Sequence, residues 1–146
     1  MISTKHKTIE MKNLIITLFL TVLVVFAGCK KDKTSERFRL LTTPVWAPDS
    51  LLANGFDASG PGQILSGFLG DAKFNEDGTG YFGNYEGDWY FAFNETQIVI
   101  QTDSLPLPLT TIIKELTTTS LKITTSVPNA FNPGSPINIR MTFKAN

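Results

Sequence analysis

Along most of the chain, apolar and polar residues alternate in short runs separated by Gly, Pro, Asn and Asp. A side-chain period of two belongs to a strand with one face buried, and the turn residues between runs mark chain reversals. The last run shows the pattern most cleanly. In INIRMTFK, Ile137, Ile139, Met141 and Phe143 fall on one face, and Asn138, Arg140, Thr142 and Lys144 on the other. TTIIKELTTTSLKITT predicts a hairpin in which Ile112 and Leu116 share a face and Leu121 and Ile123 share one on the return strand. GDWYFAFNETQIVIQTD predicts a second hairpin, turning at Asn94-Glu95, with Trp89, Phe91 and Phe93 on one face across from Ile98 and Ile100. DAKFNEDGTGYF predicts a third with Asp77-Gly78 in its turn, where glycine supplies the positive φ without steric cost.

The remaining pieces fill in an order. TSERFRLL reads as one or two helical turns capped by Thr34 or Ser35. VWAPDSLL reads as a first strand that Pro48 makes edge-like or bulged. NGFDASGPGQ and VPNAFNPGSP are loops, SLPLPL is too proline-rich for an inner strand, and ILSGFLG fits a strand or a helix equally. The sum is all-β: about eight strands in meander order. A sheet of that size removes its edges by closing into a small up-and-down antiparallel β-barrel, whose interior holds packed side chains or one small ligand. A two-sheet β-sandwich satisfies the same pattern.

One segment breaks the alternation. LIITLFLTVLVVF, Leu14 to Phe26, is unbroken apolar sequence preceded by Lys5, Lys7 and Lys12. As a helix it rises about 20 Å, short of a roughly 30 Å hydrocarbon core, which predicts a signal peptide rather than a permanent span. Met1 or Met11 serves equally as its start. Ala27, Gly28 and Cys29 follow, and this apolar-Ala-Gly-Cys order resembles the lipobox of bacterial lipoproteins. The resemblance implies cleavage before Cys29 and lipid attachment to it, and two or more acyl chains anchor stably where one is marginal. The charged stretch after it reads as a tether. CKKDK resembles the tag that Bacteroidota use to send lipoproteins to the outer face of the outer membrane, which favours the cell surface over the periplasmic face. The expected organisation is a signal peptide over 1–28, a lipid-anchored tether over 29–36 and a barrel over 37–146.

Processing decides what chemistry is left. From Cys29 onward there are ten Lys and Arg against twelve Asp and Glu, with no basic stripe of the kind nucleic acid needs. His6, the sole histidine, lies in the removed segment, and lipid blocks the one cysteine. That excludes Ser-His-Asp and Cys-His catalysis and zinc sites built from His and Cys. Carboxylate-only chemistry would need two acids flanking a bond. Asp71, Glu76, Asp77, Glu86 and Asp88 are the densest acids, and most sit beside Gly or Asn in turn contexts. GTGYFG fits G-x-G-x-x-G literally, but hairpin sequence surrounds it where a nucleotide loop needs a strand and then a helix. KFNEDG is no EF-hand loop, since its first and twelfth positions hold Lys73 and Asn84. Asn94-Glu95-Thr96, a glycosylation sequon by pattern, falls in a predicted turn. The expectation is a protein that is not an enzyme, with no cofactor and no metal.

Trp46 near the first strand, FNEDGTG, GDWYFAFNETQIVI and IIKELTTTSLKIT together resemble the lipocalin-like domains of Bacteroidota lipoproteins, with Pro44 where lipocalins place a glycine. The resemblance implies an up-and-down barrel on a lipid anchor. Two functions compete. In one, the barrel carries or senses a small hydrophobic ligand, lined by Trp89, Phe91, Phe93, Ile98, Ile100, Ile112, Leu121, Ile123, Met141 and Phe143. In the other, the monomer is an interaction module for an envelope protein or glycan, using Phe56 and Phe131 in its two long loops. Six phenylalanines between Phe56 and Phe93 favour a largely filled core and hence the second function. A cavity above about 300 Å³ would favour the first.

Overall fold

The structure, a computed structural model, describes residues 34–146, so Cys29, the apolar run and most of the tether lie outside it. Ser35 starts the first element: its hydroxyl accepts the Phe38 amide at 2.9 Å and caps α1 (Glu36–Thr42). The strands follow as β1 (Trp46–Ala53), β2 (Phe56–Asp57), β3 (Ala72–Phe74), β4 (Thr79–Phe82), β5 (Tyr85–Ala92), β6 (Gln97–Thr102), β7 (Leu109–Leu116), β8 (Ser120–Val127) and β9 (Ile137–Ala145). Neighbours in sequence pair antiparallel from β3 to β9, and β1 closes the ring by pairing with β9 on one side and β3 on the other. The result is an eight-stranded up-and-down β-barrel, with β2 as an extra short strand on β1. Closure rules out the sandwich.

Two bulges set which residues face inward. On β1 the register with β9 passes from Pro48↔Phe143 to Ser50↔Thr142, so Asp49 is the extra residue, at the place Pro48 predicts. Asp49 stays on the surface and takes Lys144 Nζ at 2.5 Å. On β7 the register with β8 passes from Ile113↔Ile123 to Glu115↔Lys122. This second bulge corrects the expected face. Leu109, Thr111 and Ile113 pack inward or partly so, then the parity switches and Leu116 packs inward, while Ile112 lies outside at 43% exposure. Adjacent isoleucines hide such a switch, because either one satisfies an apolar face.

The β5–β6 turn brings a second correction. Ala92 pairs with Gln97, and Phe93, Asn94 and Glu95 all take positive φ (48°, 55° and 61°). The reversal therefore starts one residue earlier than the sequence suggests, and Phe93 swings out to 76% exposure. The Asp77-Gly78 turn forms as expected, with Gly78 at φ 89°.

The barrel has two unlike ends. At one lie α1 and the tight β3–β4, β5–β6 and β7–β8 turns. Here α1 is a plug. Leu41 is fully buried, Phe38 tilts onto Trp89 at 5.7 Å, and buried Trp46 donates Nε1–H to the Leu41 carbonyl at 3.0 Å. Arg37 Nε donates to the Glu95 carbonyl at 2.8 Å, and the Lys73 ammonium gathers the Thr42, Thr43 and Pro44 carbonyls just past the helix, where a cation suits the exposed C=O groups. Residues 34–146 form one compact unit with its own core.

Because Trp46 joins plug to barrel, Trp46→Phe should cost about 1–3 kcal/mol, since it leaves the buried Leu41 carbonyl without its donor. Trp46→Ala should cost about 3–5 kcal/mol. Urea unfolding followed by far-UV circular dichroism checks both, and equal stability of Trp46→Phe and the parent would show the indole bond contributes nothing.

Candidate binding site at the open end of the barrel

Inside the barrel, aromatic rings pack tilted or edge to face. Phe74 meets Phe82 at 5.1 Å and Trp89 at 5.3 Å, and Trp89 meets Phe91 at 5.4 Å. Trp89 also donates Nε1–H to the Asn75 carbonyl at 3.0 Å, and buried Thr111 donates its hydroxyl to the Ile98 carbonyl at 3.1 Å. Of the ten residues expected to line the interior, Trp89, Ile98, Ile100, Leu121, Ile123, Met141 and Phe143 are buried and Phe91 is partly buried against them. Phe93 and Ile112 are the two exceptions explained above. What these side chains leave open is about 10 Å³, lined by Phe68, Ala72, Phe74, Phe82, Gly83, Ile100, Ile123, Met141 and Phe143. That is space for one water at most. The lumen is filled.

The other end is sealed below its rim and stays open above the seal. Between β2 and β3 the chain turns back over the barrel mouth, with Ala58 N–H on Leu51 O and Leu65 N–H on Ala58 O, both at 2.9 Å. A 3₁₀ turn (Ser66–Phe68) then drives Leu65 and Phe68 into the mouth, where both are buried. Its backbone is fastened to the β4–β5 turn by Asn84 N–H on Gly67 O at 2.8 Å and Gly83 N–H on Asp71 O at 2.9 Å. This is why ILSGFLG and the following turn need glycine. Gly83 sits at φ 62°, and a Cβ there would come within 2.5 Å of Gly67 O and 2.8 Å of the Phe68 backbone. Phe68 is further held edge-on to Tyr85 at 4.8 Å.

Above this plug lies a recess of about 510 Å³, lined by Ile64, Leu65, Phe68, Leu105, Pro106, Leu107, Pro108, Leu109, Thr110, Thr125, Ser126, Val127, Pro128, Ile139 and Met141. Its size falls in the range of roughly 300–1,000 Å³ typical of small-molecule sites. Phe68 and Met141 line both this recess and the residual void, so they are the partition between them. A parting of the wall opens the recess sideways. The β7–β8 ladder stops at Ile112↔Thr124, whereas β8–β9 runs on to Val127↔Ile137. Thr125 spans the gap with its side chain, donating its hydroxyl to the Thr110 carbonyl at 2.7 Å.

Phe56 and Phe131, the expected loop contacts, belong to the same end and are 78% and 100% exposed; neither lines the recess. Phe131 stands on a turn in which Asn129 Oδ1 accepts the Phe131 and Asn132 amides at 3.0 and 3.3 Å. Ile64, Leu69 and Leu107 are also exposed, at 47%, 56% and 74%. The leucines of SLPLPL were not expected to contribute. Their signal was present all the same: leucines alternating with prolines have no ladder in which to bury themselves.

No charged side chain lines the recess. Asp57 belongs to this end, and its carboxylate accepts the Ser59 hydroxyl at 2.7 Å and the Ser59 amide at 3.1 Å, which hold its carboxyl below the ordinary range. At the plugged end, Thr79 does the same for Asp77, the acid of the calcium-loop-like turn. Among the described residues no three His, Cys, Asp or Glu are grouped to hold a metal ion, and no helix is long and apolar enough to cross a membrane. No protein-family model and no curated protein matches the chain. Its architecture is that of a lipocalin-like barrel: eight antiparallel strands closed in up-and-down order.

Phe68→Ala should destabilise the protein by about 3–5 kcal/mol because it joins the residual void to the recess. Phe131→Ala, at a fully exposed site, should stay within about 0.5 kcal/mol of the parent. Urea titrations of both compare the two directly. The Asp57 carboxyl has a folded pKa below its ordinary 3.8, so the stability it lends is complete above that pH and is lost as pH falls through the folded value. The Ser59 amide resonance should accordingly titrate with a midpoint below pH 3.8. A midpoint at or above that value would show that the Ser59 contacts do not hold the carboxylate.

Proposed function

We propose that this protein is a lipoprotein of a bacterial outer membrane, of the kind Bacteroidota carry, held at the cell surface by lipid on Cys29. It works without catalysis, as a binding and interaction module whose working surface is the open end of the barrel. One observation carries this reading: about 10 Å³ remains inside the barrel, against about 510 Å³ in an apolar recess at its mouth. A filled lumen cannot take a ligand into the barrel axis, so recognition moves to the loops. Phe56, Phe131, Ile64 and Leu107 supply exposed apolar anchors there, and such anchors dominate the energetics of interfaces.

The position of α1 supports the same division of labour. The described chain begins at Thr34 and runs directly into the plug of the opposite end. The six residue-to-residue steps from Cys29 to Ser35 reach at most about 20 Å when extended. A tether joined there holds the plugged end toward the membrane and leaves the loops free. A second reading, carriage of a small hydrophobic molecule, is favoured by the recess itself, whose volume and apolar lining suit one.

Expressed in a bacterial host with alkynyl palmitate, the parent chain should incorporate label and fractionate with membranes. Cys29→Ala should take up no label, and labelling of that variant would remove the anchor from the proposal. Native mass spectrometry of the compact unit 34–146 separates the two binding readings. A small molecule co-purifying with it, and lost in Leu107→Asp, supports carriage. A clean mass together with a partner whose binding is lost in Phe131→Asp supports the interaction module.

A further inference from the structure

We infer that the recess at the open end selects uncharged apolar molecules and rejects organic anions of the same shape. This rests on the reading of that recess as a binding site. Of its fifteen lining residues none is ionisable, and the polar side chains are the three hydroxyls of Thr110, Thr125 and Ser126. Thr125 already spends its proton on the Thr110 carbonyl. An entering carboxylate or sulfonate would lose water and meet no counter-charge, which is costly for an ionised group and not for a neutral one.

The surroundings deepen the bias. The segments that form this end are residues 54–71, 83–84, 103–108 and 128–136. They carry three carboxylates, Asp57, Asp71 and Asp103, and not one Lys or Arg. The described cations lie elsewhere. Arg37, Arg39 and Lys73 surround the helical plug, and Lys114, Lys122 and Lys144 lie on β7, β8 and β9 away from the mouth. Arg140 does not line the recess; it faces outward from β9 with Thr124 and Leu52, onto a surface groove that adjoins the recess at Thr110, Thr125, Ser126 and Ile139. Hydrolysed fatty acids, bile-acid-like anions and anionic detergents are thus disfavoured by both lining and rim. The occupant that fits is an elongated aliphatic or isoprenoid chain ending in a hydroxyl or carbonyl. Its polar end can meet Ser126 and Thr125 at the parting of β7 and β8.

Two fluorescent probes share an apolar framework and differ in charge: N-phenyl-1-naphthylamine is neutral at pH 7, and 1-anilinonaphthalene-8-sulfonate is an anion. Titrated into the compact unit 34–146, the neutral probe should bind at least tenfold tighter, and the gap should narrow with added salt as the rim carboxylates are screened. Leu107→Lys should shift the preference toward the anion by tenfold or more, while Leu107→Gln, equally polar but uncharged, should leave the ratio unchanged. An anion bound as tightly as the neutral probe by the parent protein would overturn the charge selection and leave the recess standing as a binding site. Failure of both probes to bind would overturn the recess itself. So would neutral-probe binding that is indifferent to Ile64→Gln combined with Leu107→Gln.

Discussion

Everything in this barrel depends on β1 meeting β9. Seven register pairs join strands from opposite ends of the domain, from Trp46↔Ala145 to Ala53↔Ile139. Without them the meander from β3 to β9 would expose two unpaired edges. The pairing is possible along the full length of β1 because the extra residue at Asp49 bends the strand and switches its inward parity, so that Trp46 and Leu51 both reach the core. The same strand then serves β3 and β2 with its other edge. Closure at eight strands also fixes the interior width, and at that width side chains alone can fill the lumen.

How the interior is filled decides where a cavity remains. Phe74, Phe82 and Trp89 interlock in the middle, α1 closes one end with Leu41 and Phe38, and Leu65 and Phe68 close the other. The two plugs are not equivalent. α1 is tied to the wall by Trp46, Arg37 and Lys73 and leaves a compact surface. The 3₁₀ plug is a loop fastened through two glycines, and beside it β7 and β8 part. A barrel so packed has no deep cup, and among the described residues its mouth is apolar and carries no Lys or Arg. The polar work of the fold, meanwhile, is confined to holding turns: Asp57 with Ser59, Asp77 with Thr79, Asn129 with its own loop.

Much of this was legible before any coordinates. The period-two runs gave the strands, Asp77-Gly78 gave a turn, Pro48 marked the bulge in β1, and Ser35 was one of two caps named for the helix. Phenylalanine density pointed to the filled lumen, although of the six only Phe68, Phe74, Phe82 and Phe91 pack there, while Phe56 and Phe93 face solvent. What failed, failed for identifiable reasons. Alternation places Phe93 inward because it carries no record of backbone handedness, and three consecutive positive φ angles end the strand before it. The pattern places Ile112 inward because its neighbour Ile113 is equally apolar, so the bulge leaves no mark in it.

The candidate site was the least legible part, because it belongs to no single run of sequence. ILSGFLG, SLPLPL and the end of β8 lie far apart in the chain and form one recess only after the ring has closed. Sequence by itself determined the alternation, the turn chemistry, the composition of the core and the lack of histidine beyond His6, because each is local or compositional. Tertiary structure alone decided closure over the sandwich, the parity at the two bulges, the sealing of the lumen and the parting of β7 from β8. Those depend on which backbone groups find partners across the ring, and a one-residue change of register there exchanges inside for outside.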